Sequence, residues 1–116
     1  MRATRLFLAA LFASVLCAAP NAGATGASCN VTPNPLHVLQ QGTLSAAALP
    51  TDVTVALYTY FTYNGHTDSY GDVVITVNPD GSYSQSVEWD LSGKVTYKFV
   101  NDVTSALLAS CIDRVQ

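Results

Sequence analysis

From Cys29 onward the chain is a succession of short runs in which apolar and polar residues alternate, each run ended by a turn cluster. Val, Ile, Thr, Tyr and Phe dominate the runs, and Gly, Pro, Asn and Asp mark the breaks. This is the pattern of β-strands joined by turns. The Ala-rich stretch 45–49 is too short for a helix and ends at Pro50. The spacing predicts seven strands, at residues 28–32, 42–49, 53–63, 72–77, 82–89, 94–100 and 105–113. Asn78-Pro79-Asp80-Gly81 is the clearest turn, because Pro suits an early turn position and Asp-Gly a corner with positive φ. Seven short strands predict an all-β, antiparallel β-sandwich.

Alternation along a strand sends successive side chains to opposite faces. In 53–63, Val53, Val55, Leu57, Phe61 and Tyr63 share the face expected inside, leaving Ala56, Tyr58, Tyr60 and Thr62 outside. The same reasoning buries Val73, Ile75 and Val77, then Tyr83, Val87 and Trp89, then Val95, Tyr97 and Phe99. In the last strand Leu107 and Ala109 share a face with Cys111.

The first two dozen residues follow another pattern. Arg2 and Arg5 precede an uncharged apolar run, Leu6 to Ala19, and Pro20 and Ala22-Gly23-Ala24 close it. These are the three parts of a cleavable secretory signal peptide. Cleavage is expected after Ala24, with Ala27 as the alternative, giving a signal peptide at 1–24 and one domain at 25–116. The run is too short to span a bilayer, and Leu16 before Cys17 argues against a lipid anchor. The mature chain is thus expected to be secreted, periplasmic or held at the cell envelope, without membrane insertion.

Export changes the charge and the sulfur chemistry. The whole chain has five basic and eight acidic residues; loss of Arg2 and Arg5 leaves Lys94, Lys98 and Arg114 against all eight acids, a formal charge of −5. Such a chain has no footprint for a phosphate backbone, so nucleic acid is not an expected partner. Cys29 and Cys111 are the cysteines that remain, near the two ends. In an oxidising compartment they are expected to form a disulfide, worth about 4 kcal/mol on the chain-entropy model. Asn30-Val31-Thr32 is a glycosylation sequon, relevant only in a eukaryotic secretory pathway.

Leu91-Ser92-Gly93-Lys94-Val95-Thr96-Tyr97 resembles the tyrosine corner of fibronectin type III and immunoglobulin-like sandwiches, with Gly93 and Val95 where Pro and Thr are usual. The stretch from Val74 to Glu88, with its Asp-Gly-Ser-Tyr-Ser centre, resembles small Ig-like domains of bacterial exported proteins. The resemblance covers about residues 29–113. It implies an Ig-like sandwich in which the Tyr97 hydroxyl bonds to upstream backbone. The disulfide would join the two terminal strands, unlike that of antibody domains.

Candidate chemistry is sparse. His37 and His66, the latter in the turn-like Asn64-Gly65-His66-Thr67-Asp68, come with no nucleophile motif and are too few for a zinc or copper site. Asp68 with Asp72, and Glu88 with Asp90, could be paired carboxylates, but a domain this small offers little room for a cleft. Asp68, Asp72, Asp80 and Asp102 supply loop oxygens without an ordered calcium pattern. No metal, cofactor or enzymatic activity is therefore expected. Tyr58 and Tyr60, joined by Tyr70, are the candidate binding residues, because Tyr offers contact area at little entropic cost. The leading expectation is a non-catalytic Ig-like binding or cell-surface interaction module, with an unidentified protein or a glycan as partner. Alternatives are an inhibitor presenting loop 64–72, or a small-ligand carrier with a cleft lined by Tyr83, Trp89 and Phe99.

Overall fold

The computed structural model describes residues 26–116; the expected signal peptide lies outside them. Seven strands form: β1 (Ser28–Thr32), β2 (Gly42–Ala47), β3 (Val55–Tyr63), β4 (His66–Ile75), β5 (Tyr83–Val87), β6 (Gly93–Asn101) and β7 (Leu107–Val115). They make two antiparallel sheets, a three-stranded one in the order β1-β2-β5 and a four-stranded one in the order β4-β3-β6-β7. The expected seven-stranded sandwich is the fold, and Cys29–Cys111 bridges β1 to β7 across the two sheets, with 5.7 Å between the Cα atoms.

The core lies where the period-two reading puts it. Leu57, Phe61, Val95, Tyr97 and Phe99 from the larger sheet meet Val31, Leu44, Ala46 and Val87 from the smaller one. Burial of such side chains stabilises by about 1.5–3 kcal/mol each. The turn at Asn78–Gly81 forms as expected: the Gly81 amide donates to the Asn78 carbonyl at 2.8 Å, and Gly81 has φ +85°. The Asp80 carboxylate accepts the Ser82 hydroxyl and amide, which hold its pKa below the ordinary value.

Local expectations fail at several points. Val53, expected inside, precedes β3 and is exposed, and Ala56, expected outside, is buried. The stretch 64–72 is not a loop. Asn64 and Gly65, with φ of 48° and 74°, make a two-residue turn of the kind that matches strand twist. β4 therefore starts at His66 and pairs with β3 from Tyr63↔His66 onward. Val73 is exposed rather than buried, because β4 is an edge strand and none of its residues is fully buried. The tyrosine corner does not form. Leu91 is exposed, and the Tyr97 hydroxyl accepts the Trp89 indole N–H at 3.1 Å instead of bonding to backbone.

The two edges of the larger sheet are unlike. Beyond β7 the segment 36–38 adds alongside: the Leu36 amide donates to Arg114 O, the Gln116 amide to Leu36 O, and the Val38 amide to Gln116 O. The β4 edge has no such cover among the described residues.

Candidate functional site

Register places one residue from each of three strands in line across the outer face of the larger sheet. Tyr58, Lys98 and Ser110 make one row, Tyr60, Thr96 and Ile112 the next, and Thr62, Lys94 and Arg114 the third. All three cations of the described chain thus share one face. Lys94 and Arg114 are directly opposite each other on β6 and β7. Like charges in that position destabilise an antiparallel pair. No carboxylate relieves them, since His66–Asp68 is the ion pair among the described residues. An open cleft of about 710 Å³ adjoins the pair, lined among others by Thr62, Asn64, Ser92, Lys94, Arg114 and Gln116.

The predicted tyrosines divide. Tyr58 and Tyr60 lie together on the outer face, ring centroids 6.5 Å apart and planes within 12°, and the Lys98 ammonium is 5.5 Å from the Tyr60 centroid. Tyr70 is on β4, not in a loop, and packs edge-on against Trp89 at 5.5 Å. Trp89 in turn packs at a tilt of 35° against Phe61, centroids 4.9 Å apart, on the inner side. The space expected as a carrier cleft is filled: Phe99 is fully buried, with Tyr83 edge-on to it at 6.0 Å. Since 66–72 is strand, there is also no rigid 64–72 loop to present.

Inside, Asp113 is fully buried on β7, and neither carboxylate oxygen has a hydrogen-bond partner of good geometry. Burial pushes its pKa up, against a smaller pull down from the Arg114 backbone N–H. Burial also pushes the Tyr97 phenol up to about 12; the Trp89 hydrogen bond opposes that and the Asp113 charge adds to it. Nothing in the sequence pattern marked Asp113 or the Lys94–Arg114 pair. Parity along residues 94, 96 and 98 already pointed two cations outward, but Arg114 lay one residue past the expected strand end.

The two histidines sit apart. His66 Nε2 is 2.7 Å from Asp68 Oδ1 on the exposed edge strand, and the His37 amide donates to the Gln40 side chain after β1. Among the described residues no three His, Cys, Asp or Glu side chains gather where a metal ion could be held. Asp68 and Asp72 stand on β4 rather than in loops.

No family model matches the sequence, and no curated protein is similar to it. Solved structures do share the fold, and those that align with it are superoxide reductases. A variant of the superoxide reductase (neelaredoxin) of Ignicoccus hospitalis aligns over 81% of this chain and 82% of its own, with a TM-score of 0.54 at 10% identity. The parent enzyme aligns over 78% of each chain with a TM-score of 0.51 at 11% identity. At this identity the likeness shows the fold alone. It overturns the expected kinship with immunoglobulin-like and fibronectin type III domains, a resemblance carried by the Val74–Glu88 stretch and by a corner that does not form. The expectation of a non-catalytic binding module, and of no enzymatic activity, falls with that kinship, because enzymes share this architecture. Reduction of superoxide requires a one-electron donor. Cys29 and Cys111 are bound to each other and among the described residues no metal-ligand set converges, so these residues do not fit a redox metal centre, and no reductive step is derived.

Proposed function

We propose that this chain, exported and closed by its disulfide, takes up an acidic small molecule at the cleft beside Lys94 and Arg114. The observation that carries the reading is the unrelieved cross-strand pair of cations in a chain whose acids outnumber its bases. A protein tolerates a break of a local rule where function requires it. Thr62, Asn64 and Ser92 line the same cleft and offer hydroxyl and amide groups to orient a bound carboxylate, sulfate or phosphate. Superoxide, the anion for which the enzymes of this fold are named, is of the same charge sign. Export is supported by the leader pattern and by a disulfide of the kind that persists in oxidising compartments.

The test is amide NMR of the oxidised protein, titrated at low salt with glucuronate and with inorganic phosphate. Shifts centred on 92–96 and 112–116, lost in Lys94→Ala/Arg114→Ala, are expected. Absence of saturable shifts from both acids overturns the reading. Mass analysis of the same samples separates holding the acid from converting it.

A further inference from the structure

The acid cleft is one end of a longer surface. Alternate residues along a strand lie about 6.6 Å apart, so the two cation-bearing rows of the outer face, Lys98 and Lys94–Arg114, are separated by about 13 Å along β6. The row between them holds Tyr60, Thr96 and Ile112 and carries no charge. Its aromatic and aliphatic surface is accessible: Tyr60 is half-buried and Ile112 is 49% exposed. Tyr58 extends the Tyr60 surface with a nearly parallel ring, and Lys98 sets its charge against that surface. Among the described residues the carboxylate side chain placed on this face is that of Asp72, opposite Tyr58 at the far corner from Lys94–Arg114.

These features select among anionic occupants. An extended peptide that docks through its main chain adds a strand to a free edge. β3 and β6 have no free edge, since β3 lies between β4 and β6 and β6 between β3 and β7, and beside the cation pair the segment 36–38 takes the β7 edge at Arg114 to Gln116. A nucleic acid brings dense phosphate charge against an acidic chain with three described cations. What fits two cationic rows with a flat, uncharged, hydroxyl-bearing row between them is a chain of rings whose acid groups are spaced apart. Amphipathic rings meet Tyr faces well, and Thr96, Thr62 and Ser110 supply hydroxyls at the margins.

We infer that the outer face of β3, β6 and β7 is a track for a linear acidic polysaccharide. Sugar rings lie over Tyr58, Tyr60 and Ile112, one acid group meets Lys98, and another meets the Lys94–Arg114 pair. The inference rests on the acid site proposed above and names the polymer that reaches it.

The experiment compares four probes by titration calorimetry of the oxidised protein. These are a hyaluronan hexasaccharide, glucuronate, maltohexaose and poly-glutamate. The hexasaccharide is expected to bind roughly tenfold or more tighter than glucuronate, because the second contact becomes intramolecular. Maltohexaose, which lacks acids, is expected not to bind. Tyr58→Ser/Tyr60→Ser is expected to remove the hexasaccharide's gain while leaving glucuronate affinity unchanged. Ile112→Ser and Lys98→Ala, at exposed positions, carry the same test should the double tyrosine variant not fold. Equal affinity for hexasaccharide and glucuronate overturns the track and leaves the acid site standing. Poly-glutamate binding as tightly as the hexasaccharide, insensitive to Tyr58, Tyr60 and Ile112, also overturns the track. No binding of any acid overturns both proposals.

Discussion

The inner and outer faces of β3, β6 and β7 are made by the same strands in the same register, one residue out of step, and they obey opposite rules. Inward, Val95, Tyr97 and Phe99 are buried to within 1% and are held by packing. Outward, Lys94, Thr96 and Lys98 alternate with them and stay partly or fully in solvent. The inner face tolerates one anomaly, the unpartnered Asp113, and the outer face another, the unrelieved Lys94–Arg114 pair. The contrast teaches where to look for function on a sheet whose interior is filled. Inner substitutions are expected to move stability, and outer ones to move ligand affinity.

Phe99→Ala tests the inner half most severely. Removing a fully buried Phe deletes its contacts and leaves a cavity, so a loss of about 3–5 kcal/mol is expected. The neighbouring outward change Lys98→Ala, one residue away, is expected to leave the urea midpoint nearly where it was. Comparable losses from both would dissolve the distinction between the faces.

Gly93→Ala probes the point where the two faces meet at the start of β6. A Cβ there would stand 2.6 Å from the Thr62 carbonyl oxygen and 2.8 Å from the Phe61 ring. The carbonyl belongs to a paired strand and cannot step aside, so a loss of about 1–3 kcal/mol is expected from overpacking. Urea denaturation reads it, and amide shifts at Thr62 and Phe61 should locate the strain.

The inner face was legible in the sequence because it obeys a period of two: Leu57, Phe61, Val95, Tyr97 and Phe99 are all buried as the alternation required. The disulfide was legible from the leader pattern and the cysteine count. Legibility failed where long-range geometry decides. Val73 alternates like a core residue, but β4 sits at an edge and leaves it exposed. Asn64-Gly65 was read as part of a longer loop, though two residues suffice to reverse the chain. The Leu91-to-Tyr97 spacing resembled a known corner, yet nothing in spacing alone says that Trp89 takes the Tyr97 hydroxyl. The Lys94–Arg114 pair needed the β6–β7 register, which no single strand's pattern contains.

Asp113→Asn sharpens the inner anomaly through pH. Burial raises the folded carboxyl above its ordinary value, so the wild-type chain's favourable, protonated state is fully present below the unfolded pKa, for which the ordinary value is 3.8. That stability is lost as pH rises through the folded pKa, because the folded chain must then bury a charge. Asn does not titrate. The variant is therefore expected to exceed the wild type in stability at pH 7, with the advantage shrinking to nothing as pH falls below 3.8. Parallel stability profiles for the two proteins from pH 3 to pH 8 would show that Asp113 finds a compensating partner.

The smallest effect on stability is expected where the effect on ligand affinity is largest. Lys94→Ala removes one member of a like-charged cross-strand pair and no buried contact of the core. Relief of repulsion between directly opposed charges is worth about 0.2–1 kcal/mol, and the loss of the lysine stem's packing works against it. The expected net change is a slight gain, within about 0.5 kcal/mol, as for surface positions generally. Salt provides the diagnostic. Screening weakens the repulsion in the wild type, so the variant's advantage should fall between low ionic strength and 0.5 M salt. The same variant should lose glucuronate binding in low salt while its unfolding midpoint holds or rises. A substitution that strengthens the fold while emptying the cleft is the signature of a residue kept for its ligand. A destabilisation well beyond 1 kcal/mol would instead make Lys94 a structural residue and return the outer face to packing.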